Sequence, residues 1–177
     1  FMLFLGIYYF KFNAIACTRF MKSNYFSFVM KNRRFLGFGF LLALCSSYGQ
    51  TYFISVFGGE IRATFDLTHG TFGLVYSIAT LMSGLCMIWI GSLIDRVDLR
   101  VFTFLICVGL TVASVLTGWT SSVVMLGVAI FALRLSGQGL MSHASMTAMA
   151  RYFENHRGKA LSIANLGFPV GQAVFPV

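Results

Sequence analysis

The sequence GSLIDRVDLR, at residues 91–100, places four charged side chains between two long apolar runs. Residues 67–94 contain no Asp, Glu, Lys or Arg, and residues 101–150 contain only Arg134. A helix that crosses the roughly 30 Å hydrocarbon core of a bilayer needs about 20 mainly apolar residues. The stretch is therefore predicted to contain a short loop between two membrane-spanning helices.

The composition of the 177-residue chain extends this prediction to the whole protein. Hydrophobic residues make up 58% of the chain and charged residues only 10%, whereas a soluble domain carries about 25% charged residues. The low charge and the 16% aromatic content equally exclude a disordered chain, because disorder needs high charge and little apolar surface. The predicted fold class is an all-α integral membrane protein.

Charge-free runs predict five membrane-spanning helices. The run at residues 101–150 is too long for one crossing and is divided by a turn at residues 119–122. The last run continues to the final residue, so the chain is expected to be the N-terminal part of a longer protein. The spans are predicted at about residues 35–57, 71–93, 101–120, 123–149 and 160–177.

The segment before the first span, residues 1–34, is predicted to lie in the cytoplasm. Eleven of the 13 Lys and Arg residues fall in this segment or in the two loops expected on its side, and cytoplasmic loops carry the excess of cations. These cations form no stripe with interleaved aromatic residues, so no nucleic-acid partner is predicted. Residues 1–20 are expected not to be native, because Met21 followed by Lys22 is a more natural start.

Four residues of the charged loop stand at a fixed spacing: Gly91, Asp95, Arg96 and Arg100. The spacing resembles the signature between the second and third helices of the major facilitator superfamily, although Asp98 occupies the position of its second glycine. In that family the signature secures the cytoplasmic gate while the transporter is open outward, so the resemblance implies a gate here. Asp95 is expected to pair with Arg96 or Arg100, or to face the N-terminus of another helix.

The fourth predicted span contains a charge within its apolar run, Arg134. The surrounding sequence RLSGQG, at residues 134–139, is similar to the fourth-helix pattern of the same superfamily. A charge inside a span costs a few kcal/mol or more and normally faces a cavity or a partner rather than lipid. The alternative is a side chain that snorkels near a helix end. At about 100° per residue, Gln138 and Ser145 share the helix face of Arg134.

The first predicted span supplies two further polar candidates, Tyr48 and Tyr52, which share one helix face by the same rule. Such a stripe faces either a water-filled cavity or a neighbouring helix. The resemblance favours the cavity, because superfamily members line their central cavity with the first and fourth helices. Arg134, Gln138, Tyr48 and Tyr52 are therefore predicted to lie on a substrate or proton pathway.

The fifth predicted span carries Gly158, Gly167 and Gly171, with Pro169 between the last two. This pattern is similar to the glycine-rich fifth helix of the superfamily's antiporters, except that Gln172 stands where a proline is expected. Small residues in membrane spans usually form packing surfaces. The three glycines are predicted to serve helix packing.

The resemblance covers about residues 31–177 and implies a secondary transporter of two six-helix halves, of which this chain holds the first five helices. It further implies alternating access, in which one half rocks against the other. An intramembrane cation without an intramembrane acid favours a small organic anion, such as a monocarboxylate, as the substrate, with a coupled proton or counter-solute left open. The alternative is a non-transporting membrane scaffold or sensor with the same helix packing.

No enzymatic activity, cofactor or metal is predicted. The sequence shows no paired carboxylates, no metal-ligand spacing and no nucleotide-binding loop. The expected partners are a small-molecule substrate and the lipid bilayer. The absence of long loops favours a multi-pass protein of a bacterial inner membrane.

Overall fold

The structure is a computed structural model that describes residues 25–175, and within this range it contains helices and no strand. The prediction of an all-α protein is confirmed. The predicted start near residue 21 lies outside the described residues. The helices are α1 (25–31), α2 (Arg33–Cys45), α3 (Thr51–Val56), α4 (Gly58–Thr64), α5 (His69–Ser92), α6 (Leu99–Gly118), α7 (Val123–Leu133), a π-helix (Arg134–Met141), α8 (Ser142–Tyr152), α9 (Arg157–Asn165) and α10 (Gly167–Val174).

Three helical runs among the described residues are long and apolar enough to cross a membrane. They are His69–Asp95, Leu99–Gly118 and Val123–Tyr152, and a fourth is added if the bent pair Arg33–Val56 and Gly58–Thr64 counts as one span. These runs support the membrane class. The fifth predicted span is not among them and stays a prediction.

The first predicted span, residues 35–57, is interrupted rather than continuous. After α2 the chain forms a 3-10 turn at Ser46–Gly49, and Gln50 is extended with a ψ of 152° before α3 begins. A further bend of 64° separates α3 from α4. Because α-helical geometry is lost at residues 46–50, the 100° rule does not relate Tyr48 to Tyr52, and the continuous helix face predicted for them is absent.

The fifth predicted span is likewise divided, into α9 and α10, by a turn at Leu166. Pro169 explains this position, because it has no backbone N–H to donate to the carbonyl of Asn165 one turn earlier. A proline is tolerated in the first turn of a helix, where α10 accommodates it.

The start of α5 and the start of α7 are each fixed by a side-chain cap. The hydroxyl of Thr68 accepts a hydrogen bond from the backbone N–H of Thr71 at 3.1 Å, and Ser122 accepts one from Met125 at 3.2 Å. Such caps satisfy a backbone donor that has no partner within the helix. They hold short connections before both helices, and the second lies at the turn predicted at residues 119–122.

The run Val123–Tyr152 is the centre of the bundle. In an 18-residue apolar stretch of this run, 44% of the residues are buried. In the corresponding stretches of His69–Asp95 and Leu99–Gly118, the buried shares are 22% and 28%. Its α7 packs against α5 and α6, its π-helix against the same two helices and the 3-10 turn, and its α8 against α2 and α9. The charge of Arg134 therefore lies in the most enclosed run.

One long face of α5 is apolar and exposed, with Leu74, Ile78, Leu81, Ile88 and Trp89 among its side chains. A continuous apolar surface of this kind is rare on soluble monomers. Lipid or further helices of a membrane protein can cover it, which agrees with the hydropathy of the same run.

Candidate functional site

The site is centred on a π-helix at the middle of the run Val123–Tyr152. Residues Arg134–Met141 follow a π-helical path, in which each backbone N–H bonds the carbonyl five rather than four residues earlier. The segment therefore does not turn by 100° per residue, and the α-helical face predicted for Arg134, Gln138 and Ser145 rested on the wrong geometry. Interruptions of this kind are frequent at functional sites.

Two glycines bring this segment against the broken first span. A Cβ added to Gly137 would lie 2.8 Å from the Cα of Gly49, and a Cβ added to Gly49 would lie 2.6 Å from the backbone nitrogen of Gln138. Neighbouring backbone cannot give way as the end of a flexible side chain can. The two segments therefore cross at a distance that only glycine permits.

The crossing places Arg134 among neutral groups of two other spans. Its Nη1 donates to Thr51 Oγ1 at 3.0 Å and to the carbonyl oxygen of Gly49 at 3.4 Å. Its Cζ lies 5.4 Å from the ring centroid of Tyr76, within cation-π range. The hydroxyl of Tyr76 also donates to Thr51 Oγ1, at 2.8 Å. Arg134 thus joins the first, second and fourth spans.

The positive charge of Arg134 is enclosed but has no acidic partner among the described residues. The residue is only 9% exposed, and its Nε is buried without a hydrogen-bond partner in the described part of the chain. All five acidic residues of the sequence lie in α4, in the loops or at helix ends: Glu60, Asp66, Asp95, Asp98 and Glu154. A guanidinium in this state keeps donors for an anionic oxygen.

Two more of the predicted pathway residues have buried polar atoms without a partner in the range 25–175. They are Gln138, through Oε1, and Tyr52, through its hydroxyl. The backbone of Gln138 lies at the glycine crossing, and Tyr52 follows Thr51, the hydrogen-bond partner of Arg134. Buried polar groups normally have partners, so these atoms are candidates to meet a ligand, a water or a part of the protein beyond the described residues.

Tyr48 lines a different space. Its ring packs on Phe53 at 5.2 Å and on Phe175 at 4.6 Å between centroids. It borders a cavity of about 600 Å³ between the broken first span, α6 and α7, whose lining does not include Arg134. Arg134 and the backbone of Gln138 thus both meet Gly49, whereas the ring of Tyr48 lines a cavity that Arg134 does not border.

The predicted gate residue Asp95 forms an ion pair with Arg151, at the end of α8. This corrects the expectation that its partner is Arg96 or Arg100, both of which are exposed. Arg151 also donates to the carbonyl oxygen of Ile94 at 3.2 Å. The pair joins the loop after the second span to the end of the fourth.

The other gate residue of the signature, Gly91, is buried at the end of α5. A Cβ there would meet the flexible thioether of Met87, from the same helix, at 3.1 Å. The nearest atoms to a side chain at Gly91 would therefore belong to its own helix.

The three glycines of the fifth predicted span differ in their surroundings. A Cβ on Gly167 would lie 2.8 Å from the backbone nitrogen of Leu44, and a Cβ on Gly171 would overlap the side chain of Ser47. Gly158 has nothing within 4 Å at the same position. Gly167 and Gly171 therefore lie in close contact with the first span, and Gly158 does not.

Sequence reasoning missed three participants in these contacts: Gly49, Thr51 and Arg151. Thr51 is a small polar residue in an apolar run and has no distinguishing spacing. Arg151 is one of the eleven cations that favour a cytoplasmic N-terminus, and its position directly after the fourth predicted span does not reveal its pairing with Asp95. The contact between Tyr76 and Arg134 depends on how the second and fourth spans pack, which the sequence does not show.

Comparison with known proteins agrees with this architecture. The family model described as Major Facilitator Superfamily matches residues 39–177, well over half of the chain. No match was found among curated proteins or among solved structures. The matched region includes the 91–100 loop, the π-helix with Arg134 and both α9 and α10. The chain therefore belongs to the Major Facilitator Superfamily, a family of multi-pass membrane transporters.

Proposed function

We propose that this protein carries a small organic anion, such as a monocarboxylate, across the membrane by alternating access, with Arg134 as the residue that binds the anion. The observation that carries the proposal is the enclosed guanidinium whose partners within residues 25–175 are all neutral. A charge held away from water is costly unless another charge or several hydrogen bonds compensate it. A bound carboxylate supplies that compensation.

The chemistry of the side chain suits this substrate class. A guanidinium can bind both oxygens of a carboxylate through two parallel N–H groups. In Arg134 the Nη1 is engaged by Thr51 and Gly49, whereas Nε has no partner in the described part of the chain. The unpaired oxygen of Gln138 and the hydroxyl of Tyr52 are proposed to contact polar groups of the same substrate or a coupled proton.

Alternating access is proposed to involve rocking of this bundle against the rest of the transporter, with the substrate near the membrane midplane. The ion pair between Asp95 and Arg151, together with Gly91, Arg96 and Arg100, is proposed to stabilise the closed gate at the end where the N-terminal segment lies. Movement of the anion is proposed to be coupled either to a proton or to a counter-solute. The cation distribution supports a cytoplasmic N-terminus, and the short loops support a bacterial inner membrane. No chemical conversion of the substrate is proposed.

The substrate class can be tested by counterflow into vesicles that contain the complete purified protein. Vesicles loaded with an unlabelled monocarboxylate should accumulate the same labelled compound from outside. The amide of equal size should compete at least about tenfold more weakly, because it loses the charge-assisted hydrogen bonds to Arg134. Protein-free vesicles are the control for passive leakage.

Two results would count against the proposal in different ways. Equal competition by the amide would show that the substrate need not carry a negative charge, although the protein would still be a transporter. No flux of a panel of carboxylates, amides, amines and sugars would instead favour a non-transporting scaffold or sensor with this helix packing.

The gate can be tested with Asp95→Asn. The side chains of the pair are 66% and 51% exposed, so we expect a modest effect of about 0.2–1 kcal/mol, which shifts the ratio of inward-open to outward-open protein up to about fivefold. Accessibility labelling of cysteines introduced on the two sides of the pathway measures this ratio. The protein should remain folded.

Arg151→Gln and Asp98→Asn sharpen this test. Arg151→Gln should produce the same shift, and the double variant with Asp95→Asn should add little to either, because both changes remove one interaction. Asp98→Asn removes an exposed acid of the same loop and should leave the labelling unchanged. Unchanged labelling in Asp95→Asn as well would exclude the ion pair from the gate.

A further inference from the structure

A cationic cavity lies at the end of the bundle where the first span begins and the fourth ends. It has a volume of about 470 Å³, and its lining includes Lys31, Arg33 and Arg34 together with Asn32 and Tyr152. The three cationic residues are exposed. Three cations around one cavity form a site for an anion with several oxygens.

None of the three cations forms an ion pair within residues 25–175, although Glu154 lines a neighbouring cavity together with Lys31. No acidic side chain lines the cationic cavity itself, and the ion pair found within residues 25–175 joins Asp95 to Arg151 instead. The preceding residues 1–24 contain no Asp or Glu in the sequence. The charges of Arg33 and Arg34, which do not line the cavity of Glu154, are therefore available to a ligand.

The wall of the cavity is held in place by aromatic packing between two spans. The ring of Phe35 stacks on Tyr152 with 3.6 Å between centroids and an angle of 11° between the ring planes. Tyr152 follows Arg151, which is tied to the loop after the second span by its bond to Asp95. The cavity thus lies at the membrane end of a packed bundle rather than on a separate tail.

Its position suits a lipid. In α1, which ends at Lys31 and directly precedes Arg33 and Arg34, Phe26 is 70% exposed and Met30 is 51% exposed. Exposed apolar side chains beside Lys and Arg are typical of helices that lie in the interface between headgroups and acyl chains. Clusters of cations immediately outside a membrane span attract anionic lipid headgroups.

We propose that Lys31, Arg33 and Arg34 form a binding site for a phosphate group, supplied by the headgroup of an anionic phospholipid such as phosphatidylglycerol or by free inorganic phosphate. The cations bind the phosphate oxygens, and in the lipid case Phe26 and Met30 contact the acyl chains. The site does not include Arg134, so its test is independent of the test of the proposed transport function.

The test is native mass spectrometry of the complete purified protein titrated with phosphatidylglycerol, and in a parallel arm with inorganic phosphate. The double variant Arg33→Gln/Arg34→Gln should weaken binding roughly 10- to 30-fold, since each exposed ion pair with the phosphate contributes up to about fivefold. The control Arg157→Gln, matched to the single variant Arg34→Gln, removes one exposed cation from the same end outside the cavity and should bind like the wild type. Arg33→Lys/Arg34→Lys should retain most of the binding.

The two arms distinguish the sources of the phosphate. Binding of phosphatidylglycerol that millimolar inorganic phosphate does not displace assigns the site to lipid, whereas saturable binding of inorganic phosphate that the double variant loses assigns it to the free ion. If the double variant inserts poorly, Arg34→Gln alone should show the fivefold loss. The proposal would be overturned if the wild type, Arg33→Gln/Arg34→Gln and Arg34→Gln all bound phosphatidylglycerol and inorganic phosphate equally well.

Discussion

Replacing Arg134 with Ala is expected to abolish transport. The side chain is the enclosed cation at the junction of three spans, and its substitution removes every charge-assisted hydrogen bond that it can make to an anionic substrate. Such bonds contribute about 1.5–3 kcal/mol each, so loss of two corresponds to at least about a 100-fold reduction in flux. Initial rates of carboxylate counterflow in vesicles measure the effect.

The reason for the loss can be separated from misfolding. Arg134→Ala also deletes the contacts to Thr51, Gly49 and Tyr76 and leaves a cavity, so its thermal unfolding midpoint should fall. Arg134→Met fills that space without the charge and should lose flux equally while its midpoint stays near that of the wild type. Arg134→Lys keeps the charge but loses the planar pair of donors and should retain only a small part of the flux. Arg157→Ala, which removes an exposed cation at the start of α9, should transport normally. Normal flux in Arg134→Ala would contradict the site assignment.

Replacing Gly137 with Ala is expected to destabilise the whole bundle. The new methyl group would lie 2.8 Å from both Cα and N of Gly49, so the broken first span and the π-helix would have to move apart. Overpacking of this kind costs about 1–3 kcal/mol, and more where the neighbour is backbone. The midpoint of thermal unfolding in detergent should fall, and transport should fall with it because Arg134 depends on the same contact.

Matched glycines provide the control for this prediction. Gly37 in α2 and Gly84 in α5 have nothing within 4 Å of an added Cβ. Alanine at either position should leave stability unchanged or slightly raise it, since alanine favours helix more than glycine does. Gly49→Ala should resemble Gly137→Ala. An unfolding midpoint equal to that of the wild type in both crossing variants would show that the backbones are not in contact.

The long apolar helices could be predicted because their signal is local. The charges at residues 91–100 separate α5 from α6, and the polar turn at residues 119–122 separates α6 from α7, so composition along the chain is sufficient. Arg134 could be singled out for the same reason, since a charge in an apolar run is visible without any knowledge of packing.

The details that define the site depend on contacts between distant segments. The interruption at Ser46–Gly49 and the π-helix at Arg134–Met141 occur where two glycine-containing segments meet, 88 positions apart from Gly49 to Gly137. The shared helix faces predicted for Tyr48 with Tyr52 and for Arg134 with Gln138 assumed a regular α-helix, which neither segment forms. The partner of Asp95 was missed for a related reason, because Arg151 lies 56 residues further along the chain and two nearer arginines offered local alternatives.

Equilibrium binding isolates the contact between Arg134 and the transported anion from the other steps of the transport cycle. A labelled monocarboxylate that shows counterflow is titrated onto the complete purified protein, with no membrane and no gradient, and the Kd is compared between the wild type and Arg134→Gln. We expect saturable binding to the wild type that the uncharged amide does not displace, and a Kd at least about tenfold weaker in the variant. Equal Kd values for the wild type and Arg134→Gln would contradict the account.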